Sequence, residues 1–165
     1  MNYSEGRAMG AWGTGLFEND AACDLASDVA EGDPARLEQA IDAVLACGAG
    51  YLEAPVAEEC LAAAAIIARL KSGPERGTKY PEVLEPWFRS AAAPLPAGLD
   101  QKAKRAIQRV LSETRDSSSA TGILDLIKRA LRREQSGPSE ILKVWSDSTD
   151  FEEWRRNVDA VRARL

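Results

Sequence analysis

Apolar positions recur at steps of three and four along most of the chain, and no stretch shows the alternation of β-branched and polar residues that a strand requires. Ala22, Leu25, Ala26 and Val29 mark one face of a first helix, capped by Asn19, favoured by Asp20 at the positive end of its dipole, and ended by Gly32. Asp33-Pro34 restarts the chain, Asp33 as cap and Pro34 at the first helical position, and Leu37, Ile41, Val44 and Leu45 hold the period until Gly48. A third helix runs from Pro55 to about Leu70, with Val56, Cys60, Leu61, Ala64, Ile67 and Ala68 inward. Its alanine run leaves so little polar face that it belongs at the centre of a bundle.

After a loop over 72–79, Tyr80 to Ser90 reads as a short helix or turn interrupted by Pro86. Leu99, Ala103, Ala106, Ile107, Val110 and Leu111 form a further stripe, opposed by Lys102, Lys104, Arg105 and Arg109. Ile123, Leu124, Ile127 and Leu131 give another helix, stopped by Gly137-Pro138, and a short one from Ser139 carries Ile141, Leu142 and Trp145. Thr149 and Glu152 have the spacing of a capping box for the last helix, whose seam is Phe151, Trp154, Val158, Val161 and Leu165. The pattern predicts an all-α fold, a single compact bundle of about seven or eight short helices. Two successive helical hairpins suggest solenoid-like stacking as a second arrangement, although no sequence period repeats. The expected organisation is a tag remnant or disordered extension over 1–8 and one all-α domain over 9–165.

Met9 to Asp20, Met-Gly-Ala-Trp-Gly-Thr-Gly-Leu-Phe-Glu-Asn-Asp, concentrates glycines, aromatics and helix-starting residues in twelve positions. This segment resembles the opening of an uncharacterised bacterial domain-of-unknown-function family, whose members start Met-Gly-Ala-Trp-Gly-x-Gly-x-Phe-x-Asn-Asp. The likeness continues through Tyr51-Leu52-Glu53-Ala54-Pro55 and the Trp145–Leu165 stretch. The resemblance implies no activity. From the residues themselves, the glycines permit positive φ while Trp12 and Phe17 plug into the helical core, so that the segment clasps the bundle. A partner-binding role for the loop's exposed part is the alternative. A phosphate-cradling role is disfavoured: no Lys-Ser or Lys-Thr follows Gly15, and Glu18 and Asp20 would repel the anion.

Histidine is absent from the chain, which removes His-based triads, imidazole general bases and most zinc sites. The three cysteines, Cys23, Cys47 and Cys60, cannot all pair and are expected as buried free thiols. The longest apolar run, Cys60–Ala68, is far shorter than the roughly 20 residues of a membrane span, and no signal-peptide pattern appears, so a cytoplasmic protein is expected.

Charge is distributed unevenly. Residues 1–70 carry three basic and twelve acidic side chains, a net −9, whereas residues 71–165 carry eighteen and fourteen, a net +4. An acidic N-terminal half argues against nucleic acid, whose binding depends on neutralising phosphates, and suits a basic protein partner. Lys128, Arg129, Arg132, Arg133, Arg155 and Arg156 are interleaved with Asp125, Glu134, Glu152 and Glu153, the pattern of a solvated charged face. Asp20, Asp24 and Asp28 lie four apart on one face of the first helix, with Glu18 just before it.

These features select Trp12, Glu18, Asp20, Asp24 and Asp28 as the candidate binding residues. The function expected is non-enzymatic protein binding, of the immunity-protein or adaptor kind, with no cofactor, metal, nucleic acid or membrane involved. A carboxylate- or metal-dependent enzyme built on Glu18, Asp20 and Asp24 is the competing class, and an oligomeric structural protein is a third. The sequence leaves the oligomeric state and the partner's identity open.

Overall fold

The computed structural model describes residues 12–74, 77–90, 95–112, 137 and 139–165. Asn19 caps α1 (Asp20–Ala30) as its pattern predicts, its side-chain oxygen accepting the Ala22 backbone N–H at 2.8 Å. In α2 (Ala35–Ala46) the cap is Pro34 rather than Asp33, and no side chain closes the first turn. Asp33 contributes its backbone carbonyl instead, accepting the Arg36 N–H at 3.3 Å.

The third helix, α3 (Ala54–Ser72), is the hub. Its residues from Cys60 through Ala68 are all buried, because the small alanine side chains let helices approach it from several sides. It packs against α1, α2, α5 (Leu99–Val110), α6 (Glu140–Ser146) and α7 (Phe151–Arg164). The solenoid-like alternative is therefore excluded for the described residues, since a solenoid unit contacts only its neighbours in sequence and α3 touches the C-terminal helix. The fold is all-α, a compact helical bundle.

Pro86 does not break α4 (Leu84–Ser90). It occupies the third helical position, where a backbone N–H has no intrahelical acceptor and its loss costs little. The capping box expected at Thr149 and Glu152 does not form: α7 has Asp150 as N-cap, with no side-chain cap, and the Ser148 hydroxyl accepts the Asp150 N–H at 3.1 Å. The expected α7 seam is otherwise present, with Trp154, Val158, Val161 and Leu165 buried. Trp145 and Trp154 stack at 5.7 Å, joining α6 to α7.

A second junction links the α2–α3 connection to the start of α6. The Glu140 N–H donates to Leu52 O at 2.9 Å, the Gly137 N–H to Ala49 O at 3.0 Å, and the Glu140 carboxylate accepts the Ala54 N–H at 2.9 Å at the N-terminus of α3. Arg109 ties the same place together, donating to the carbonyls of Gly48, Gly50 and Gly137. A Cβ on Gly137 would collide with the Tyr51 backbone, so only glycine allows this approach. The conspicuous Tyr51–Pro55 segment is thus an architectural joint.

Of the cysteines, only Cys60 is fully buried; Cys23 and Cys47 sit at the flanks of their apolar stripes and are half-buried, and all three are free thiols. No described helix is long and apolar enough to cross a membrane. The expected helix around Ile123–Leu131, the basic cluster from Lys128 to Arg133 and the extension over 1–8 lie outside the described residues.

Candidate functional site

The signature segment folds into a tight loop because Glu18 reaches back across it. The Trp12 N–H donates to Glu18 O at 2.9 Å, the Glu18 N–H to Gly15 O at 3.0 Å, and the Gly15 N–H to the Glu18 carboxylate at 2.8 Å. A Cβ on Gly13 would overlap that carboxylate, and one on Gly15 would come within 3.0 Å of it. The glycines thus make room for Glu18. The clasp onto the bundle is polar as well as apolar: the Thr14 hydroxyl donates to Glu153 at 2.9 Å, and the Asn157 amide donates to Thr14 O at 3.0 Å, both on α7.

Phe17 is the apolar plug, buried and 5.3 Å from the Tyr80 ring. Tyr80 in turn meets Phe88 at 5.6 Å, and its hydroxyl donates to Ala65 O at 3.1 Å. The Arg69 guanidinium lies 3.9 Å from the Phe88 ring centre while holding Glu85 through two nitrogens at 2.8 and 3.0 Å. Trp12 departs from the expected core position. It is 48% exposed, because the bond to Glu18 O fixes its backbone on the outer side of the turn.

The carboxylates expected on one face separate into different roles. Glu18 is engaged with the loop. Asp28 pairs with Arg36 at 2.9 Å, and Arg36 extends to Glu59 at 3.4 Å, so Asp28 fastens α1 to α2 and α3. Asp20 and Asp24 are exposed, and among the described residues no cation pairs with either. Asp20 is favoured by the α1 dipole; Asp24, with like charges four residues away on both sides, has no hydrogen bond or ion pair of its side chain among the described residues. Among the described residues no three carboxylates or thiols converge as a metal site would require. Arg155 faces Asp159 at 3.8 Å and Arg156 bonds the Glu152 carbonyl, which leaves both within their own helix.

Glu58 was not singled out by motif, yet it is the most perturbed carboxyl described. It is 8% exposed on the inward side of α3, and burial, aided by the Asp20 and Glu140 charges, pushes it up to about 7. Its periodicity is the signal that could have found it: Glu58 precedes Leu61 by three residues, in register with the buried face. With Gly13, Gly15, Asn19, Trp145 and Trp154 it lines a small cavity of about 10 Å³ beneath the signature loop. A more open polar cleft of about 220 Å³ lies alongside, bordered by Thr14, Glu18, Lys79, Glu153 and Asn157.

Residues 10–120 match the model of a family described as a domain of unknown function (DUF4259), which takes in the signature loop and the Tyr51–Pro55 joint but not the Trp145–Leu165 stretch. No curated protein and no solved structure matches the chain.

Proposed function

This chain belongs to that domain-of-unknown-function family, and from that premise we propose that it is a non-enzymatic cytoplasmic protein whose work is to bind a basic protein partner. The single observation that carries this is Trp12: a half-exposed tryptophan held on a loop whose backbone is pinned at both sides. Displaying half of so large an apolar group to water has a solvation cost, whereas a rigid aromatic anchor contributes strongly when a partner covers it. Trp12 is bonded to Glu18, two residues ahead of Asp20, so the anchor adjoins Asp20 and Asp24, which pair with no cation among the described residues. Glu31 adds to the charge at the C-terminal end of α1, where the helix dipole would favour a cation. An acidic rim beside an aromatic anchor suits a basic surface, as in immunity-type neutralisation or adaptor binding. Three unpaired cysteines accord with a reducing compartment.

Affinity capture from the native cell with the wild-type chain and with Trp12→Ala tests the proposal. A protein retained by the wild type and lost with the folded variant supports it. Equal retention by both contradicts it.

A further inference from the structure

Glu58 has the surroundings of a group that awaits a cation. The residue is 8% exposed, and among the described residues no hydrogen bond or ion pair reaches its carboxyl. The charged groups facing it from the packed elements are themselves carboxylates, Asp20 on α1 and Glu140 on α6. Glu18 in the loop and Glu153 on α7 are acids as well, engaged by the Gly15 N–H and the Thr14 hydroxyl, and add no positive charge. Leu16, Leu61, Ile141 and the mutually stacked Trp145 and Trp154 complete the lining, so the water-sized space beside the carboxyl is walled mainly by apolar groups. The cavity, about 10 Å³, accommodates one water-sized group.

We propose that this cavity is a subsite for a primary ammonium group, filled by the tip of a lysine side chain from the basic partner. An ammonium head is close to water in size and carries three donors, one for Glu58 and others for the loop and the Asn19 region. A guanidinium is planar and wider, so the site selects lysine over arginine. A divalent metal is disfavoured because among the described residues no third ligand converges. Ligand binding requires Glu58 to ionise, which the ammonium favours by opposing the Asp20 and Glu140 repulsion. The subsite rests on the basic-partner reading and specifies which side chain is read.

The probe is n-butylammonium chloride, added to the full chain carrying ¹³C-labelled glutamate, with tetramethylammonium chloride at equal ionic strength as control. The expected result is that the Glu58 carboxyl midpoint falls by at least one pH unit with butylammonium alone, a tenfold or greater preference for the ionised form. No fall, or an equal fall in the control, overturns the subsite. Folded Glu58→Gln should lose the saturable shifts of the Trp145 and Trp154 indole N–H signals; retention of those shifts also overturns it. Putrescine should bind no more tightly than butylammonium, and a hundredfold tighter response would replace the lysine side chain by a free polyamine. Butylammonium binding with capture indifferent to Trp12 would break the surface reading alone, while Trp12-dependent capture with no butylammonium response would break the subsite alone.

Discussion

The Glu18 carboxylate occupies the space that a side chain on Gly13 would need. This relationship explains why the signature combines glycines with an acid: Glu18 closes the loop through the Gly15 N–H, and glycine is what lets it lie there. The clash is with the end of a flexible side chain, so Gly13→Ala should act by evicting Glu18 and not by deforming the backbone. Gly13→Ala and Glu18→Ala are each expected to cost about 1–2 kcal/mol, with the double variant costing little more than either. Urea denaturation of the four proteins measures the coupling; additive losses would show that the two residues act independently.

Phe17 and Trp12 should respond oppositely to truncation. Phe17 is buried against Tyr80, and Phe17→Ala should cost about 3–5 kcal/mol, the range for emptying an aromatic core site. Trp12 is half-exposed, and Trp12→Ala should cost less than about 1 kcal/mol. Thermal melting separates the two, and a large loss with Trp12→Ala would return that side chain to the core.

Much of the bundle was legible because its helices are driven by apolar stripes. Ala22, Leu25, Ala26 and Val29 in α1, and Trp154, Val158 and Val161 in α7, are buried as their spacing predicts. Local capping was less legible. Asp33 and Thr149 have the right residue types, but backbone bonds at Asp33 and the Ser148–Asp150 contact win instead, since several donors and acceptors compete within a single turn. The site was half visible. The stripe of Asp20, Asp24 and Asp28 could be counted, but Asp28's partner Arg36 comes from the next helix and Glu18's role depends on a loop conformation. Glu58 was hidden by its neighbours, because the Glu58-Glu59 pair beside an alanine run resembles a helix's polar edge until the packing partners on all sides are known.

Glu58 should make stability fall as pH rises. Its folded-state midpoint, about 7, lies above the ordinary glutamate value of 4.5, so the native state holds the proton more tightly than the unfolded chain. Relative to a normal glutamate, the penalty is absent below about pH 4.5, grows as pH rises toward 7, and levels off above it. The full loss reaches up to about 3 kcal/mol. Glu58→Gln should remove this slope and be more stable than the wild type at pH 8. Denaturation midpoints between pH 4 and 8 test it, and parallel profiles for the two proteins would refute the assignment.

We propose that Trp12 together with Asp20 and Asp24 of α1 forms the partner-binding surface. The most direct measurement is the dissociation constant of the captured partner against ionic strength, for the wild type and for Asp20→Lys/Asp24→Lys. Both positions are exposed, so the helical circular dichroism spectrum should stay unchanged. Salt shortens the Debye length from about 10 Å at about 0.1 M to about 3 Å at about 1 M, so wild-type binding should weaken steeply across that range. The charge-reversed chain is expected to bind at least tenfold more weakly at low salt and to lose that steepness. Equal affinity and an identical salt dependence for the two chains would place the partner on a different surface of the protein.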